Sequence, residues 1–158
     1  KGITARAMNG ELDFNSALIE RVGLLKDLDV GVIDRVLADR ITLMPGGAAL
    51  VSTMRANGAY AALVSGGFTA FTSAVVGQLG FDENRANTLI VKDGKLTGDV
   101  AEPILGRAAK VQALEEIIQQ LGITAQDVLA VGDGANDLGM LKIAGTGAAL
   151  AAPASAPR

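Results

Sequence analysis

The apolar positions of this chain fall into two patterns. Up to about residue 40 they recur at three- and four-residue steps, the spacing of one helix face. Ala17, Leu18, Arg21, Val22, Leu24 and Leu25 follow Asp13-Phe14-Asn15-Ser16 in this way, and Val32, Ile33, Val36 and Leu37 make a further short helix. From Ile3 to about Arg40 there is no strand signal. The character changes at Met44-Pro45-Gly46-Gly47. A helix carrying Ala48, Leu50, Val51 and Met54 meets a C-terminal stop at Asn57-Gly58. The continuous apolar run Tyr60-Ala61-Ala62-Leu63-Val64 then predicts a strand buried on both faces. It is expected to break at Ser65-Gly66-Gly67 and give way to a helix containing Phe68, Phe71, Val75, Val76 and Leu79.

The second half repeats this alternation. Thr88-Leu89-Ile90-Val91 and Lys95-Leu96-Thr97 flank Asp93-Gly94, a hairpin signal. A helix from Val111 to Leu121 places Leu114, Ile117, Ile118 and Leu121 on one face. Val128-Leu129-Ala130-Val131 reads as a strand that ends in Gly132-Asp133-Gly134-Ala135-Asn136-Asp137, after which Leu138, Met140, Leu141 and Ile143 open another helix. Gly147-Ala148-Ala149-Leu150 is a weak final strand. Helices alternating with buried strands predict an α/β fold with a doubly wound, parallel, Rossmann-like sheet. The expected division is a small helical cap over 1–42 and an α/β core over 43–158.

Composition narrows the chemistry. With 158 residues and 49% apolar content the chain can bury a core. A net charge of −3, with charges scattered along the length, gives no basic patch for nucleic acid. The absence of histidine and cysteine removes the usual general base, thiolate nucleophiles and Cys-ligated zinc. No apolar run reaches the roughly 18 residues of a membrane span, and the opening residues lack the apolar core of a secretory signal. A cytoplasmic protein without membrane or nucleic-acid partners is the expectation.

Two strand ends carry the candidate chemistry. Ser65 with Gly66 and Gly67 offers a hydroxyl and free backbone amides, a combination suited to a phosphate or other oxyanion; the alternative is a tight turn requiring glycine torsions. Asp133 and Asp137 lie four residues apart, so both carboxylates can face one small volume. Such hard oxygen donors suit a magnesium ion, which takes one or two carboxylates and keeps several waters; the alternative is an ordinary turn with an aspartate helix cap. Lys110 begins a helix and is either a solvated lysine or a cation for a phosphoryl group.

Taken in order, these motifs resemble those of haloacid-dehalogenase-superfamily phosphatases, and within them the phosphoserine phosphatases. The cap-like ITARAMNGELDF and RVGLLKDL, then VSGGFT, LIVKDGKLTGDV, Lys110 after GRAA, and GDGAND extend the resemblance nearly end to end. It implies magnesium-dependent hydrolysis of O-phospho-L-serine to serine and phosphate, a step of serine biosynthesis. It implies that Ser65, Gly66, Gly67 and Lys110 bind the phosphoryl group. Asp133 is implied as a metal ligand, with Asp137 supporting the metal site. Met8, Phe14 and Arg21 match cap positions around the phosphoserine head group, and Asn136 lies near the substrate. For Met8 and Phe14 the alternative is core packing between helices, and for Arg21 a surface charge. Arg21 suits a carboxylate because its guanidinium binds bidentately.

The family's first motif, Asp-x-Asp-x-Thr, whose first aspartate is the nucleophile, does not occur in the 158 residues. The resemblance places it upstream of residue 1, and without its strand the sheet is expected to show unpaired edges. Where the family carries an Ala-Lys-Pro element, Ala151-Ala152-Pro153 stands. Other readings are a related phosphatase for another small phosphomonoester, or a non-catalytic chain that binds phosphate or metal. Oligomeric state has no signature in the sequence.

Overall fold

The structure is a computed structural model and describes residues 2, 3, 6, 11–106, 108–133 and 136–150. The chain forms two compact units, Lys1–Gly106 and Arg107–Arg158.

The first unit opens with α1 (Phe14–Gly23), α2 (Val32–Arg40) and α3 (Gly47–Ala56). Asp13 starts α1 as its N-cap, accepting the Ser16 backbone N–H at 2.7 Å and its hydroxyl at 3.1 Å. These two hydrogen bonds, the backbone one first, hold the Asp13 carboxyl below the usual carboxylate range. Ala17, Leu18 and Val22 form the buried face of α1, as the periodicity requires. That face packs on β4 (Lys95–Val100), where Leu96 is buried. β4 pairs antiparallel with β3 (Leu89–Lys92), and the expected hairpin turn has both Asp93 (φ 51°) and Gly94 (φ 74°) left-handed.

The chain after α1 also hydrogen-bonds to this hairpin. Asp27 N–H donates to the Leu96 carbonyl at 2.9 Å, Leu96 N–H to the Leu28 carbonyl at 2.9 Å, and Val30 N–H to the Gly94 carbonyl at 2.8 Å. Gly98, at φ +86°, permits the approach: a Cβ there would sit 2.9 Å from the Lys26 Cβ. The helical segment and the hairpin are therefore one packed body within this unit.

The parallel element of the first unit is β1 (Ala62–Phe68) beside β2 (Glu83–Asn87), joined by α4 (Thr69–Leu79). Three expectations are corrected. The strand does not break at Ser65-Gly66-Gly67 but runs through it to Phe68, with an irregularity between Val64 and Phe68 against β2. Phe68 accordingly ends the strand and caps α4 rather than lying within the helix. β1 is also only half-buried along its length, not buried on both faces. β2, with the polar sequence ENRAN, has no counterpart in the apolar pattern.

In the second unit, α5 (Ala109–Leu121) leads through a single turn at Ala125–Asp127 to β5 (Leu129–Gly132), α6 (Leu138–Ile143) and β6 (Thr146–Ala149). β5 and β6 pair in parallel, and Ala113, Leu114 and Ala130 are buried. The α/β class with parallel strands holds. Among the described residues the strands form three two-stranded sheets, a parallel pair in each unit and the antiparallel β3–β4 hairpin.

Candidate functional site

In the first unit two of the candidate residues, Ser65 and Phe14, lie around Gly66 and Gly67. Ser65 Oγ accepts the Gly67 backbone N–H at 3.0 Å, which folds the Ser-Gly-Gly segment onto itself and leaves the hydroxyl proton to donate. The segment is a bulged strand end, and the helix after it starts only at Thr69. The expectation of free backbone amides is therefore corrected at Gly67, whose N–H belongs to the bulge and is taken by Ser65 Oγ. Phe14 lies over it, and a Cβ at Gly66 would sit 3.2 Å from Phe14 Cζ. The same ring flanks Gly106, whose hypothetical Cβ would be 3.7 Å from Phe14 Cδ1 and 2.8 Å from Asn15 Oδ1.

Arg21 lies seven residues after Phe14 on α1, two turns along the same face. It is exposed, and its Nε donates to the Ala17 carbonyl at 3.1 Å. That bond anchors the stem of the side chain. Met8 lies outside the described residues.

In the second unit, Lys110 and Asp137 form an ion pair through Lys110 Nζ and Asp137 Oδ1. Their side chains are only 16% and 3% exposed, so the picture of a solvated lysine fails. Asp137 Oδ2 accepts the Asp133 backbone N–H at 3.1 Å. Asp137 stands at the helix-cap position of α6, yet its side chain makes no cap hydrogen bond and reaches back instead to Lys110 and Asp133. Gly132 allows this, because a Cβ there would lie 2.5 Å from the Asp137 Cβ and 2.6 Å from its Cγ. Asp133 and Asn136 are exposed at the end of β5, and Gly134 and Ala135 lie outside the described residues.

The arrangement separates the roles of the two aspartates. Asp137 is a buried anchor that fixes a cation and the backbone of the turn. Asp133 is exposed at the end of β5, where a hard oxygen donor could meet a divalent cation. Among the described residues no group of three His, Cys, Asp or Glu side chains gathers as a complete cation cage.

Sequence reasoning assigned no role of their own to two residues that shape these segments, Gly132 and Asn87. Gly132 has a signal in retrospect, a glycine ending an apolar strand. Asn87 has none, being one of two asparagines in a polar pentapeptide.

Residues 3–142 match the family model described as haloacid dehalogenase-like hydrolase. The chain is 46% identical over 147 residues to phosphoserine phosphatase of Streptomyces coelicolor, covering 93% of this chain and 36% of that protein. It is 45% identical over 145 residues to phosphoserine phosphatase of Methanocaldococcus jannaschii, covering 92% of this chain and 68% of that protein. Among solved structures, a phospho-aspartyl intermediate analogue of phosphoserine phosphatase superimposes with a TM-score of 0.80 at 45% identity, over 90% of this chain and 68% of that one. The chain thus spans from about a third to about two thirds of the length of these relatives. On the family match, which takes in nearly all of its described residues, the chain belongs to the haloacid dehalogenase-like hydrolases.

Proposed function

We propose that the chain serves a phosphoserine phosphatase, which hydrolyses O-phospho-L-serine to serine and phosphate in the cytoplasm. The observation that carries this reading is the Lys110–Asp137 pair, which holds a cation beside the Asp133 turn. A lysine buried beside a carboxylate is held in place, as a preorganised group for a phosphoryl transition state must be. The 45–46% identity to phosphoserine phosphatases supports the substrate.

Each residue then has a task. Ser65 donates its hydroxyl proton to a phosphoryl oxygen, and the Gly66 and Gly67 segment lets the ligand approach the backbone closely. Lys110 Nζ neutralises phosphoryl charge. Asp133 would hold magnesium, with Asp137 supporting it by fixing the turn. When bound, the ion offsets the charge of the phosphoryl oxygens. Asn136 stands near the substrate. On the cap, Phe14 keeps water from the bulge and Arg21 receives the substrate carboxylate as a bidentate partner; Met8 belongs to the same head-group set. The covalent step falls to the aspartate of the Asp-x-Asp-x-Thr motif that the family carries ahead of its cap.

Arg21→Ala tests the substrate. In active enzyme carrying this cap, KM for L-phosphoserine should rise roughly tenfold or more, the scale of a lost charge-assisted pair. KM for a phosphomonoester without a carboxylate should stay unchanged. Equal effects on both substrates refute the assignment and favour another small phosphomonoester.

A further inference from the structure

We propose that Asn87 is a positioning residue that sets the shape of the Ser65–Gly67 anion loop. This role rests on the reading of that loop as the phosphate-binding element.

Asn87 is the last residue of β2 and is 2% exposed. A buried amide is tolerated when its donors and acceptor find partners, and here they do so on two different segments. Nδ2 donates to the Gly66 carbonyl at 3.0 Å and, at 3.4 Å, to the Leu105 carbonyl. Oδ1 accepts the Leu105 backbone N–H at 2.7 Å. Only one orientation of the amide satisfies both sides, because the opposite one would face Nδ2 to an N–H and Oδ1 to a carbonyl.

The position of these bonds in the sheet gives them their significance. Val64 pairs with Arg85 and Phe68 with Asn87, so Ser65, Gly66 and Gly67 have no strand partners in between. Regular pairing therefore does not fix the path of the loop. The Asn87 side chain replaces the missing ladder contact by holding the Gly66 carbonyl. This sets the peptide that follows, whose Gly67 N–H donates to Ser65 Oγ. The same amide secures Leu105 beside Gly106, the other glycine under the Phe14 ring. Asparagine is required for this: aspartate keeps the acceptor for Leu105 N–H but turns an oxygen toward the Gly66 carbonyl.

The test titrates the isotopically labelled chain with inorganic phosphate and follows the Gly66 and Gly67 amide resonances. Wild type, Ser65→Ala, Asn87→Asp and the double variant are compared well below their melting temperatures. Asn87→Ser, whose small hydroxyl admits a water, reports the same quantity if the buried carboxylate prevents folding. Wild type should show saturable shifts, and either Asn87 variant should weaken phosphate binding about tenfold, the scale of one buried hydrogen bond. In the Ser65→Ala background the Asn87 change should cost less than about twofold, since both act through one loop. Folded Asn87 variants that bind phosphate like wild type overturn the positioning role and leave the loop reading intact. Ser65→Ala binding like wild type, or no wild-type response at these amides, overturns the loop reading itself.

Discussion

Replacing Gly132 by alanine should disable the buried ion pair without touching either of its members. The added Cβ would sit 2.5 Å from the Asp137 Cβ, 2.6 Å from its Cγ and 2.7 Å from its Oδ2. Since ordinary contact begins near 3.4 Å, Asp137 must retreat by about 1 Å, a shift of the size that overpacked cores resist. Its Oδ2 then leaves the Asp133 N–H, 3.1 Å away in the native fold, and its Oδ1 loses alignment with Lys110. Overpacking costs typically 1–3 kcal/mol, and weakening a buried pair adds to that, so a loss of about 2–4 kcal/mol is expected. For a chain of this size that lowers Tm by roughly 5–15 °C. Thermal unfolding followed by circular dichroism at neutral pH measures it. A double-mutant cycle assigns the cause: with Asp137→Gly the Cβ, Cγ and Oδ2 contacts all vanish, so Gly132→Ala should cost markedly less there. A Gly132→Ala chain melting within a degree of wild type would refute the reasoning.

Three further outcomes are expected. Lys110→Met should destabilise by about 3 kcal/mol, because it removes one partner of a buried ion pair; Asp137→Asn in the same chain should restore part of the loss, both read from denaturant midpoints. Val22→Ala removes two carbons from a side chain with 2% exposure in the α1–β4 core and should cost about 2 kcal/mol in the same assay. Asp82 accepts the Ala61 N–H and pairs with Arg55, which hold its carboxyl below the usual range. A depressed folded-state pKa contributes stability that is present above the unfolded value and lost as pH falls through the folded one. Asp82→Asn should therefore flatten part of the acid limb of the stability curve, measured as Tm against pH below about 4.

The elements with local causes were legible in the sequence. The buried face of α1 follows from its three- and four-residue spacing, and the β3–β4 turn follows from Asp93-Gly94, the pair that tolerates two left-handed residues. What depends on distant partners was not. Glu83–Asn87 is polar and becomes a strand through pairing with β1 and through the buried contacts of Asn87. Ser65-Gly66-Gly67 carries glycines that suggest a break, yet β1 continues through them as a bulge. Lys110 and Asp137 stand 27 residues apart, and no periodicity links them. The GDGAND segment was recognisable as a strand-to-helix turn, but the turn of Asp137 back to Lys110 and the Asp133 N–H depends on the close approach at Gly132.

The most direct test of the central claim measures phosphate release from L-phosphoserine in magnesium by this chain joined to an upstream Asp-x-Asp-x-Thr strand. Phosphate esters lacking the amino-acid head group serve as competitors. The account predicts hydrolysis of L-phosphoserine in clear preference to the competitors, and its loss on changing Ser65, Lys110 or Asp133. Hydrolysis of the other esters with L-phosphoserine left untouched would contradict it.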